Sequence, residues 1–196
     1  MYTASHVPKV IIIEGIDNCG KDSLINNLKS YYKNTKVIHA CAPNSKDLFT
    51  FYYEGLIHDT LDGYYNESLD AVIHNRSMYG EYVYGPKYRG ESKDKVAEII
   101  RRLEIGQLKT FIFSKDLYFI LLTSSDSDLI ANNDDGLSFS AKKTDIDDEI
   151  VAFNEVFSLS SIKNKKKIFV NNDNRFRSKE DIYKDALDFI NNSLGD

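Results

Sequence analysis

Lys21 is the side chain in this sequence best placed to handle phosphate. It lies in the stretch Val10–Leu24 (VIIIEGIDNCGKDSL), where an apolar run meets a loop bounded by Gly15 and Gly20, then a lysine, then a helical pattern. Without a Cβ, Gly15 and Gly20 permit a tight backbone path in which successive N–H groups point inward at an anion. Asn18 and Cys19 complete that path. Lys21 adds a mobile positive charge, and the helix starting near Asp22 directs the positive end of its dipole at the same point. The chemistry implied is the holding of a nucleotide's phosphates.

The spacing Gly-x-x-x-x-Gly-Lys fits the Walker A pattern, in which the next residue is a serine or threonine whose hydroxyl holds magnesium. Asp22 stands there instead, with Ser23 one place later. Magnesium ligation is therefore expected from Asp22 or Ser23.

The surrounding pattern supplies the elements needed to hold such a loop. Lys9 to Ile13 reads as a buried parallel strand, and Leu24, Ile25, Leu28, Tyr31 and Tyr32 recur at helical spacing after it. Further strand-like runs at Lys36 to Ala40, Leu69 to His74, Leu117 to Thr123 and Lys167 to Asn171 are separated by helix-length segments, so the fold class is α/β with a parallel sheet of about five strands. Ser45 to Leu61 reads as an aromatic-rich helix. Ser92 is an expected N-cap for a helix burying Val96, Ile99, Ile100 and Leu103. Ile146, Ile150, Phe153 and Phe157 mark another helix, with Thr144 and Asp147 spaced as a capping box. A last helix begins near Ser178 and buries Ile182, Tyr183, Ala186, Phe189 and Ile190. The polar segment Ala131 to Lys143 (ANNDDGLSFSAKK), about 131–144, is expected to be a lid-like loop closing over substrate.

With 196 residues the chain suits one domain, 1–196. A formal charge of -5 argues against nonspecific nucleic-acid binding, which needs a basic excess. Cys19 and Cys41 are the only cysteines and lack metal-ligand spacing, which predicts a reduced, intracellular protein. No apolar stretch approaches the length of a membrane span, so a soluble, cytoplasmic location is expected, in the protein's own cell or a host's.

IIIEGIDNCGKDSL together with AVIHNRSMYGEYVYG resembles the thymidylate kinases, in which an E-G-x-D-x-x-G-K loop after the first strand is followed by a D-R-Y-type motif ending the third. The run Gly80 to Gly90 looks like a viral or phage branch of that family. The resemblance implies a three-layer P-loop fold and transfer of the ATP γ-phosphate to a deoxynucleoside monophosphate, most often dTMP, with Mg2+ bridging the phosphates. It further implies roles. Lys21 contacts the β- and γ-phosphates. Asp17 accepts a hydrogen bond from the sugar 3'-hydroxyl and orients a magnesium-bound water. Arg76 clamps the acceptor phosphate, for which a planar guanidinium fork is suited. Glu81 and Arg89, read here as part of a glycine-punctuated loop, are expected to reach the acceptor nucleotide. Phe51, Tyr52 and Tyr53 fall where the family places its base-stacking aromatic, and Phe51 and Tyr52 are taken as acceptor-binding. The family also implies a homodimer, with small-molecule nucleotides as its other partners.

The sequence departs from the family at several points. Asn75 replaces the aspartate of the D-R motif, and Cys41-Ala-Pro43-Asn-Ser45-Lys46 carries no arginine where the family has a proline-arginine segment. No lid or loop arginine is visible; Lys142 and Lys143 are the available stand-ins, with Lys142 assigned to ATP. Two other readings therefore stay open: a deoxynucleoside kinase, which would need a general base after the second strand, and a nucleotide-binding regulatory module without catalysis.

Overall fold

The computed structural model describes residues 7–42, 49–108, 116–133 and 142–192. Its central strand is β1 (Lys9–Gly15), six of whose seven residues are buried, and it is flanked by β3 (Ala71–Asn75) and β4 (Leu117–Thr123). β2 (Thr35–His39) and β5 (Asn164–Phe169) form the edges. The order is β2-β3-β1-β4-β5, and every pairing is parallel. Continuous β-branched runs such as Val10–Ile13 form the middle of the sheet because a parallel strand there is covered on both faces.

The helices are α1 (Lys21–Tyr31), α2 (Phe49–Tyr64), α3 (Met78–Arg89), α4 (Lys93–Leu103), α5 (Ser127–Ala131), α6 (Lys143–Leu159) and α7 (Lys179–Asn192). Alternation along β4 shows how they divide into layers. Tyr118 meets Phe189 of α7 edge-on, while Phe119 stacks on Tyr79 of α3 and contacts Phe157 of α6. Successive strand residues face opposite sides, so α7 and its neighbour α1 cover one face, and α3 and α6 the other. This is the parallel α/β sheet expected from the strand and helix pattern, in the three-layer arrangement that the family resemblance implies.

Four local expectations are corrected. The glycine-punctuated run from Gly80 is a helix: Ser77 caps it, Pro86 lies within it, and Gly90 ends it in the left-handed conformation. Glycine and proline disfavour helix, but burial of Met78, Tyr79, Tyr82 and Val83 on one face overrides that preference. Thr144 and Asp147 do not form a capping box. α6 starts at Lys143 with Lys142 at the cap position, so Thr144 already lies inside the helix. β5 begins at Asn164 rather than Lys167, and Lys165, Lys166 and Lys167 place their ammonium groups over the rings of Phe157 and Phe189, contacts that charge patterning conceals. Asn171, placed in that strand by sequence, instead pairs antiparallel with Phe176 in a small hairpin. The expected cap at Ser92 is present, and Ser178, near the expected start of the last helix, caps α7; each side chain accepts an N–H from its helix's first turn. α2 is described from Phe49 and runs past Leu61 to Tyr64; residues 43–48 lie outside the described segments.

Under α2, His74 of β3 is buried and hydrogen-bonded through Nε2 to Thr60 Oγ1 at 2.7 Å. Thr60 donates its own proton to the Leu56 carbonyl, so Nε2 carries the hydrogen and Nδ1 is a bare, buried acceptor. Burial, helped by Lys36, depresses the imidazole pKa to about 4. The unfolded chain takes up this proton near pH 6.5 and the folded chain only near 4, so stability falls as pH drops through that window. We expect a loss of up to about 3 kcal/mol from this group. Urea denaturation at stepped pH checks it: His74→Leu should show a shallower acid slope than the wild type, and an unchanged slope would contradict the assignment.

Candidate active site

Because the sheet is parallel, the C-terminal ends of β1, β2, β3 and β4 open on one edge, where α/β sheets present ligand sites. The loop after β1 is shaped by its glycines. Gly15 has φ +147°, and a Cβ on it would sit 2.3 Å from the Leu122 carbonyl oxygen and 2.9 Å from Cys19 Sγ. Gly20, at φ 83°, is the cap residue of α1, and no side chain caps that helix's first turn. The loop thus delivers α1's N-terminal dipole to the sheet edge without covering it.

Lys21 is buried, and its ammonium donates to the carbonyls of Gly15 at 2.9 Å and Ile16 at 2.6 Å. It spans the inside of the loop that a phosphate would occupy. Cys19 is buried beneath, 3.8 Å from Lys21 Nζ, and desolvation raises its thiol pKa against the pull of Lys21. Cys19 is therefore a packing residue and not a thiolate nucleophile.

Arg76 follows β3 directly and adopts φ 67°, a left-handed conformation that costs a non-glycine residue about 1–3 kcal/mol. Its N–H bonds the Ile13 carbonyl, and its guanidinium forms an ion pair with Asp17 and a hydrogen bond to Tyr84 Oη. Burial opposes the arginine's charge, but Tyr84 and Asp17 outweigh it and raise the pKa, so Arg76 stays cationic. The strained backbone places this fork at the junction of the loop and α3.

A cavity of about 310 Å³ opens beside it, lined by Ala40, Cys41, Tyr53, Arg76, Gly80, Glu81, Tyr84, Tyr88 and Arg89 among others. That volume is at the lower end for small-molecule sites, which combine apolar walls with a few fixed polar groups. Arg89 closes one side, gripping Glu81 in a two-pronged pair at 3.0 and 2.6 Å. Burial raises the Glu81 pKa, and Arg89 counters it.

The structure brings Asp17, Lys21, Arg76, Glu81 and Arg89 to this edge. Tyr52 lies at its border, accepting the Cys41 N–H at 2.7 Å, while its neighbour Tyr53 lines the cavity. The Phe51 side chain, Pro43, Ser45, Lys46 and the lid's residues 134–141 lie outside what is described. Lys142 is exposed at the start of α6, with no contact to the phosphate loop among the described residues, and Lys143 pairs with Asp128. Arg101 and Arg102 pair with Glu98 on an exposed helix face, away from the cavity.

Among the described residues no group of three or more His, Cys, Asp and Glu could cage a metal ion. Asp22 and Ser23, on the first turn of α1, are hard oxygen donors of the kind a magnesium ion uses when substrate phosphates and water complete its shell.

No family model matches this chain, and no characterised protein matches it by sequence. Solved structures do match by fold. A Bacillus subtilis YorR structure, determined in complex with phosphorylated GDP, superposes with a TM-score of 0.67 at 19% identity, covering 93% of this chain and 95% of that one. The thymidylate kinase of Candida albicans gives 0.65 at 14% identity, covering 96% and 94%. That of Ehrlichia chaffeensis gives 0.57 at 11%, covering 92% and 97%. The chain has a thymidylate kinase-like P-loop fold.

Within this kinase fold, sequence reasoning passed over three residues. Tyr84 and Tyr88 line the cavity but were hidden by reading their segment as a loop. Glu14 is the third: fully buried, its Oε1 accepts from the Ser77 N–H at 2.6 Å, the Ser77 hydroxyl at 2.7 Å and the Gly80 N–H at 3.2 Å. Burial raises its pKa despite those bonds, and Oε2 has no hydrogen-bond partner among the described residues. A charged residue ending a buried strand was the available signal. Glu14→Ala, which strands these donors, is expected to lower stability by about 2–4 kcal/mol in urea denaturation, and Glu14→Gln, which keeps an acceptor, by less than half as much.

Proposed function

We propose that this protein is a nucleoside monophosphate kinase that transfers the γ-phosphate of ATP to a deoxynucleoside monophosphate, dTMP being the leading acceptor. The observation that carries the reading is the meeting of two cationic groups at one sheet edge: Lys21 inside its glycine-framed loop, and Arg76 at the mouth of an aromatic-walled cavity; we read each as an anion site. A nucleotide binder needs only the first. Phosphoryl transfer needs both phosphates aligned and their charge compensated, with little covalent help.

In this reading Gly15, Asn18, Cys19 and Gly20 wrap the β-phosphate with backbone N–H groups. Lys21 leaves the loop carbonyls to meet the β- and γ-phosphates. Asp22 or Ser23 would hold magnesium, which would supply neutralising charge for the phosphates. Arg76 exchanges Asp17 for the acceptor's phosphate, which frees Asp17 for the sugar 3'-hydroxyl. Tyr84 and Tyr88, and Tyr53 behind them, offer faces for the base, with Phe51 and Tyr52 on the same helix as Tyr53. Glu81 and Arg89 present an adjacent acceptor and donor to the base edge. Residues 131–144 would close over the site as a lid, with Lys142 approaching ATP. We further propose a single-domain, cytoplasmic homodimer; no helix among the described residues is long and apolar enough to cross a membrane.

A coupled assay of ADP formation with ATP, Mg2+ and a panel of monophosphates and nucleosides tests the reading. Turnover should depend on a deoxynucleoside monophosphate and be highest with dTMP. Turnover only with nucleosides would move the assignment to a deoxynucleoside kinase, and none with any acceptor, from folded protein, would overturn it. Arg76→Ala should lower kcat/KM for the acceptor by about 10²–10⁴-fold, the value of two charge-assisted hydrogen bonds.

A further inference from the structure

Asp22 and Asn75 lie on different elements of the site, the first turn of α1 and the end of β3, and they touch. The Asn75 side-chain amide donates to Asp22 Oδ1 at 2.7 Å, and the same nitrogen lies 3.3 Å from His39 Nδ1 at the end of β2. Each residue alone departs from the usual phosphate-loop arrangement, in which a hydroxyl on the helix and an aspartate on a strand hold the magnesium between them. Together they contain the same number of carboxylates. The charge has changed places: it stands on the helix, and the neutral hydrogen-bonding group stands on the strand.

The exchange has an electrostatic reason to be paired. An aspartate at 75 beside Asp22 would set two carboxylates within hydrogen-bond distance, which disfavours ionisation of both. An amide there instead donates, fixing the carboxylate through Oδ1 and leaving Oδ2 for another ligand. Ser23 is turned from Asp22 by about 100° around the helix axis, away from the side on which Asp22 meets β3.

We infer that Asp22, oriented by Asn75, is the group that engages the divalent cation accompanying the nucleotide, and that the two positions form a carboxylate–amide pair functionally equivalent to the usual hydroxyl–carboxylate pair. This rests on the kinase reading above. Asn75 acts as a positioning residue, through Asp22.

Calorimetric titration with a non-hydrolysable ATP analogue, with and without Mg2+, tests it in the wild type, Asp22→Ser and Asp22→Ser/Asn75→Asp. Mg2+ should tighten binding to the wild type. Asp22→Ser should lose about 10- to 100-fold of that Mg2+-dependent gain, and the double variant should recover most of it, by analogy with the sensitivity of metal sites to their supporting shell. Without Mg2+, Asp22→Ser should bind no more weakly than the wild type, since a negative charge near the triphosphate has gone. Thermal melting confirms that each variant is folded, and Mn2+ spectroscopy of the bound analogue gives a second readout of ligation. If Asp22→Ser keeps the full Mg2+ gain, or the double variant is no better than the single one, the pairing is wrong. A wild type that binds the analogue with no Mg2+ effect, or not at all, would instead overturn the kinase reading beneath it.

Discussion

The buried carboxylate of Glu14 is the constraint on which the two halves of the site depend. It is the penultimate residue of β1, next to the glycine that opens the phosphate loop, and it accepts the N–H groups of Ser77 and Gly80 at the start of α3. An anion at a helix N-terminus is favoured by the dipole and by otherwise orphaned donors. Here that preference becomes a clasp between the strand that launches the loop and the helix that walls the cavity. Arg76, lying between β3 and α3, is fixed from both sides, which is how a left-handed arginine is sustained.

The electrostatics of the edge follow from the same geometry. Each of three cations at the edge is matched internally: Lys21 by loop carbonyls, Arg76 by Asp17, Arg89 by Glu81. In a chain of net charge -5, three partnered cations thus gather at this edge. Entering phosphates would displace partners already in place, so binding trades one set of charge-assisted bonds for another and spends little on reorganising the backbone.

Much of this was legible in the sequence because its signals are local. The strand runs Val10–Ile13 and Leu117–Thr123, the glycines framing residues 15–20, and the caps at Ser92 and Ser178 each follow from a few neighbouring residues. What was not legible depended on distant partners. The helical state of residues 78–89 comes from the burial of Tyr79 against Phe119 and from Glu14, against the local preferences of Gly80, Gly85 and Pro86. The start of β5 is disguised by lysines whose ammonium groups sit over aromatic rings. The contact between Asp22 and Asn75, 53 residues apart, turns two separate anomalies into one arrangement, and only the fold could reveal it.

The central claim is that the two anion sites act on one phosphoryl group, and the most direct test follows that group. Single-turnover reaction with ATP labelled at the γ-phosphate, in the presence of Mg2+ and dTMP, should place the label on the acceptor to give labelled dTDP. Label appearing only as inorganic phosphate, or remaining in ATP that is demonstrably bound, would contradict the account.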